Sequence, residues 1–164
     1  MPGSIEDFVQ NVISPVLVKL DLDRYRAEAA AELLLGTALQ ESGLIYRQQL
    51  DGGPALGLFQ MEPATHDDIW ANFLHYRPLL ARIVGDLGGG LPASALLETD
   101  DSYAAAMCRV HYLRMGQIVG QLPLPDAGDI PAMGDYWKRF YNTAGGAGAV
   151  SEFVANWQAH HATI

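Results

Sequence analysis

Leu33-Leu34-Leu35-Gly36-Thr37-Ala38-Leu39-Gln40-Glu41-Ser42-Gly43 is an apolar run that ends on one acid, a serine and a glycine. A glycine-bearing loop follows and closes on Gly57-Leu58-Phe59-Gln60-Met61-Glu62-Pro63-Ala64-Thr65. The first segment has the composition of a buried helix, and Gly43 is a natural stop for it. Placement gives Glu41 its interest. An acid at the end of a buried helix loses solvation on one side while still facing an opening, and desolvation raises a carboxyl pKa. A carboxylic acid kept protonated near neutral pH is what general acid chemistry requires. Spacing alone favours the plainer alternative, a solvated acid near a helix end.

Outward from Glu41, two further blocks bear on the same question. Tyr103-Ala104-Ala105-Ala106-Met107-Cys108-Arg109-Val110-His111-Tyr112-Leu113 is a second strongly apolar helix, and Phe140-Tyr141-Asn142-Thr143-Ala144-Gly145-Gly146 is an aromatic segment closed by glycines. Together with Glu41-Ser42-Gly43 and Gly57-Leu58-Phe59-Gln60, followed by Pro63-Ala64-Thr65, they resemble, in order, the signature of the soluble lytic transglycosylases. That family shares the lysozyme-like fold with goose-type lysozymes. The resemblance covers roughly residues 30 to 146.

The resemblance implies a mainly α (α+β) chain: one lysozyme-like helical domain over residues 1–164, with a small β element next to the catalytic glutamate. It implies cleavage of peptidoglycan at the β-1,4 bond between N-acetylmuramic acid and N-acetylglucosamine, with a 1,6-anhydro ring as product. Glu41 would be general acid and then base. Ser42, Phe59, Gln60, Tyr141 and Asn142 would line or hold the glycan site. Glu62 stands where the family usually has an apolar residue. It is either an acid favoured by a helix N-terminus or a second carboxylate that positions water. Pro54 replaces a frequent family glycine and stiffens the loop. Two other outcomes stay open: a hydrolytic lysozyme that uses water, and a silent glycan-binding or structural protein of a virion.

Bulk properties narrow the classes. At 164 residues the chain fits one domain with a real core. The net charge of −9 argues against a nucleic-acid partner, and it makes stacking and hydrogen bonding, not overall charge, the means of holding an anionic glycan. No apolar run reaches bilayer-spanning length. A monomer is expected. One cysteine excludes an internal disulfide, and Cys108, set among Ala106, Met107 and Val110, reads as a core thiol. His66, His75, His111, His160 and His161 form no zinc pattern, and neither a phosphate loop nor a serine elbow is present. No metal or cofactor is expected. Met1-Pro2-Gly3-Ser4 leads into acids and not into a basic and then apolar leader. A phage lysis protein, a wall-degrading virion component or a chain trimmed of its leader would fit that start.

Local signals place the remaining elements. Ser4 and Asp7 have capping-box spacing ahead of an apolar pattern from Ile5 to Leu20. Pro15 should kink or split it. Asp21 or Asp23 is expected to cap a helix from about Arg24 to Gln40, in which Gly36 marks a close packing contact. Tyr46 to Leu50 reads as a short strand and Asp51-Gly52-Gly53-Pro54 as a turn. Asp51, Asp67 and Asp68 read as solvated acids. Pro63 should open a helix, Thr99 or Asp100 should cap another reaching about Met115, and a last helix is expected from about Val150 to His160.

Overall fold

Two helices are almost wholly apolar over their central turns, and burial all round is the only stable place for such a stretch. They are α3 (Ala27–Ser42) and α7 (Asp101–Ile118). Leu33, Leu34, Leu35, Ala38 and Leu39 of the first, and Tyr103 through Val110 of the second, are buried. The computed structural model describes residues 3–142 and 146–161, and the chain is mainly helical. Around α3 and α7 lie α1 (Ile5–Phe8), a π-helical turn over Val9–Ile13, α2 (Ser14–Leu20), α4 (Pro63–Asn72), α5 (Pro78–Leu87), α6 (Leu96–Thr99), α8 (Ile130–Trp137) and α9 (Val150–His161). A second π-helical turn, Lys138–Asn142, continues α8. Among the described residues the buried apolar side chains join into one cluster. No described helix is long and apolar enough to cross a membrane.

Several sequence signals act where they stand. Ser4 and Asp7 form a complete capping box. Pro15 sits in the first turn of α2, directly after the π-helical turn. That wider turn accommodates a residue with no N–H to give, so the helix is split in hydrogen bonding without a break in the chain's path. Pro63 opens α4, Pro78 opens α5, and Asp100 caps α7 by accepting from the Tyr103 N–H. Gly36 faces Phe153 of α9, and a Cβ there would overlap the ring. Gly36→Ala is therefore expected to cost about 1–3 kcal/mol, the usual range for overpacking, read as a lower urea midpoint with an unchanged slope.

Three expectations are corrected. The helix expected from Arg24 to Gln40 runs Ala27–Ser42, and neither aspartate caps it: its N-cap is Arg26, without a side-chain bond. Asp21 instead ends α2 in a left-handed conformation, and Asp23 is buried against Arg109 of α7. The strand expected over Tyr46 to Leu50 is not formed. Among the described residues the segment beside Glu41 holds only isolated antiparallel bridges, Gln48 to Leu56 and Leu56 to Met61. With Gly57 turning the chain between the last two, there is no length over which a ladder could extend. The glycine stop at Gly145, with Thr143 and Ala144, lies outside the described residues.

Side-chain bonds fix this irregular segment to the helical frame. Arg47 donates to both oxygens of Asp101 and, at 3.2 Å, to the Glu98 carbonyl. Gly57 has φ of +78°, and a Cβ there would overlap the Leu97 carbonyl oxygen. Only glycine fits that approach. On the far side, His66 Nε2 meets the Tyr103 hydroxyl at 2.7 Å and Trp70 Nε1 donates to it at 2.9 Å, so α4 is pinned to α7.

Candidate active site

Because α3 ends at Gly43 with φ of +62°, its last turn emerges from the core at the edge of a cleft of about 590 Å³. Glu41 lies in that turn, half-buried, and lines the cleft. Its Oε1 accepts a hydrogen bond of 3.1 Å from Trp137 Nε1. Trp137 is itself buried and stacked on Phe153, so its N–H is held in place. Burial raises the Glu41 pKa from 4.5 to about 7, and the Trp137 bond opposes part of that rise. Desolvation wins because one neutral donor replaces only a fraction of the water an ionised carboxylate would hold. The solvated-acid alternative does not describe Glu41.

The other residues named from the sequence divide into two groups. Gln60, Glu62, Tyr141 and Asn142 line the cleft with Glu41. Ser42 and Phe59 do not face it. The Ser42 hydroxyl is buried, donates to Leu58 O at 2.6 Å and accepts from the Leu44 N–H, so it clamps the end of α3 to the Gly57–Gln60 turn. Phe59 packs on Phe8 in the core, and only its carbonyl matters to the site. That carbonyl accepts the Tyr141 hydroxyl at 2.6 Å. Tyr141 was expected to reach the acid or a sugar, but its hydroxyl is committed to the loop beside Glu41. Tyr141→Phe is accordingly expected to cost about 1–2 kcal/mol of stability by leaving the Phe59 carbonyl unpaired, measured by denaturant unfolding.

Gln60 holds a left-handed backbone, φ of +49°, and its amide donates to Gly57 O, closing the turn on itself. Asn142 accepts from Lys138 Nζ and donates to Ala147 O, so it positions the backbone behind Tyr141. Glu62 is exposed at the N-cap of α4 and makes no capping bond. Asp51 is exposed at the rim, its carboxylate accepting from the Gly53 N–H. Cys108 is fully buried in α7, its thiol pushed well up by burial, as a core thiol should be.

Three features of the site have no role assigned by the sequence. Trp137 reaches Glu41 from another helix, and nothing local marks it. Tyr46 lines the cleft and is partly exposed, the disposition of an aromatic that can stack on a ligand. His111 of α7 lines the cleft wall and packs edge-to-face on Tyr141, ring centres 5.4 Å apart. Among the described residues no three His, Cys, Asp or Glu side chains are gathered as metal ligands would be. The arrangement offers one shielded carboxyl with its pKa raised to about 7 on a polar cleft wall, with an exposed aromatic beside it. No family model, curated protein or solved structure matches this chain, and its site therefore stands on its own geometry.

Proposed function

We propose that the protein is a peptidoglycan lytic transglycosylase with a lysozyme-like helical fold. The observation that carries the proposal is the single enclosed carboxyl at the cleft wall, Glu41, which keeps its proton up to about pH 7. In this scheme the Glu41 carboxyl protonates the oxygen between N-acetylmuramic acid and N-acetylglucosamine as the C1–O bond breaks. The resulting carboxylate then takes the proton of the muramoyl C6 hydroxyl while that oxygen bonds to C1, closing the 1,6-anhydro ring. The carboxyl ends as it began, and no water is consumed. One acid suffices because the nucleophile belongs to the substrate, whereas ordinary glycosidases need two carboxyl groups.

Support for the scheme lies in how differently the two nearby glutamates are placed. Glu41 is enclosed and held by Trp137, whereas Glu62 is exposed at a helix N-terminus. Such a position favours an acid by the helix dipole alone. The test is mass analysis of digested murein. Muramoyl ends one water lighter than reducing sugars are expected, with Glu62→Gln changing neither rate nor product appreciably. Reducing ends as the main product, slowed by Glu62→Gln, would establish the hydrolytic lysozyme instead. Intact murein after prolonged incubation would favour the silent glycan-binding protein.

A further inference from the structure

The cleft contains a second polar group that the one-acid scheme does not use. His111 is half-buried on α7 and lines the same cleft as Glu41, Glu62 and Thr65. Its Nδ1 is enclosed and has no hydrogen-bond partner. A buried imidazole nitrogen left unpaired is tolerated better as an acceptor than as a donor, since orphaned buried N–H groups are the rarer case. The ring proton then resides on Nε2. With Nδ1 enclosed and the ring only half-buried, Nε2 is the nitrogen left to face the cleft. The Tyr141 ring at one side holds the imidazole edge-to-face, so the donor is fixed in direction.

We infer that His111 is a substrate-binding residue whose Nε2–H donates to an acyl carbonyl oxygen carried by the glycan. The inference rests on the glycan-cleaving reading of the cleft and names a group on the substrate that the chemistry at Glu41 leaves unassigned. Charge selects the acceptor. Burial and the neighbouring Arg114 push the His111 pKa down to about 4, against the opposing pull of Asp68, so the donor is uncharged at working pH. Exposed Glu62, which lines the same cleft, disfavours an anionic group in it. A neutral amide oxygen meets both conditions, and it is a strong acceptor for a single fixed N–H. Murein carries such oxygens in two places, the N-acetyl groups and the amide where a peptide stem joins the lactyl arm.

The test separates these sources and separates the inference from the catalytic proposal. Binding is measured calorimetrically in the Glu41→Gln protein, with a peptide-free N-acetylglucosamine tetramer and with peptide-bearing glycan fragments. Adding His111→Leu is expected to weaken binding about fivefold, the effect of one neutral hydrogen bond. His111→Gln, whose amide nitrogen falls near the position of Nε2, should recover most of the loss. His111→Asn, whose amide falls near Nδ1, should not. A loss on both ligands identifies the N-acetyl oxygen, and a loss confined to peptide-bearing fragments identifies the stem amide. Equal affinities across the variants, or equal affinities of the Gln and Asn variants should the Leu variant fail to fold, would overturn the assignment, as would failure of both ligands to bind. Absence of murein cleavage by the unaltered protein would instead strike the catalytic proposal and leave the binding comparison to be decided by itself.

Discussion

Glu41→Gln is expected to lower wall-lysing activity at least about a hundredfold, the lower end of what general acid catalysis contributes, and at the same time to stabilise the fold at pH 8. Gln keeps the shape of the side chain and an oxygen for the Trp137 N–H, so what it removes is ionisation. The sign of the stability change follows from linkage. The Glu41 pKa is about 7 in the folded protein against an ordinary value of 4.5, so between those values the folded state holds a proton that the unfolded chain has released. The Glu41 contribution to stability is therefore greatest below about pH 4.5, falls as pH rises through that window, and levels off above pH 7. The ionised carboxylate then costs on the order of 3 kcal/mol. At pH 8 the variant escapes this cost, and at pH 4.5 it gains nothing. Paired thermal unfolding at the two pH values, with a murein turbidity assay, checks both halves. Retained activity with no pH-dependent difference in stability would remove Glu41 from the chemistry.

How much of this site could be read from the chain depends on how local its causes are. Pro63 opening α4, Asp100 capping α7 and Gly36 admitting Phe153 are all legible, because each rests on one residue's own geometry. The exposed side of Glu41 was legible too, since an apolar helix ending in an acid and a glycine has to surface there. What shields the acid was not. Trp137 is distant in sequence, in a stretch that reads simply as helix, and only the packing of α8 beside α3 brings its N–H to the carboxyl. The cleft position of His111 is hidden in the sequence for the opposite reason. It sits inside an apolar helix, where a histidine reads as core, and the cleft reaches it only because α4 and the turn before it open beside α7. Ser42 and Phe59 show the limit of motif adjacency. Both neighbour cleft residues in sequence, yet a helical or tight-turn backbone points consecutive side chains in different directions, and both face inward. The expected strand is reduced to isolated bridges because Gly57 turns the chain between Leu56 and Met61 while Arg47 ties the segment to α6 and α7, which leaves no length for a ladder.

Asp23→Ala is expected to destabilise the protein by about 3 kcal/mol, or about 6–12 °C in melting temperature for a chain of this size, while leaving specific activity of the folded fraction intact. Asp23 accepts from Arg109 Nε at 2.8 Å and from Nη2 at 2.7 Å, and both side chains are 6% exposed. The remaining guanidinium nitrogen, Nη1, is already buried without a partner. Removing the carboxylate would leave a whole buried cation uncompensated, which ordinarily costs 3–5 kcal/mol. The lower end applies because Asp23 and Arg109 line a surface pocket with Arg26 and Gln117, through which water can reach the guanidinium. Activity should persist because this pocket does not include Glu41 or the other cleft residues. Asp23→Leu combined with Arg109→Met should recover much of the lost stability, since exchanging a buried ion pair for apolar side chains of similar volume is often neutral or better. A double variant no more stable than Asp23→Ala would mean that the pair matters through the placing of the segment after α2 against α7, and not through charge left unpaired.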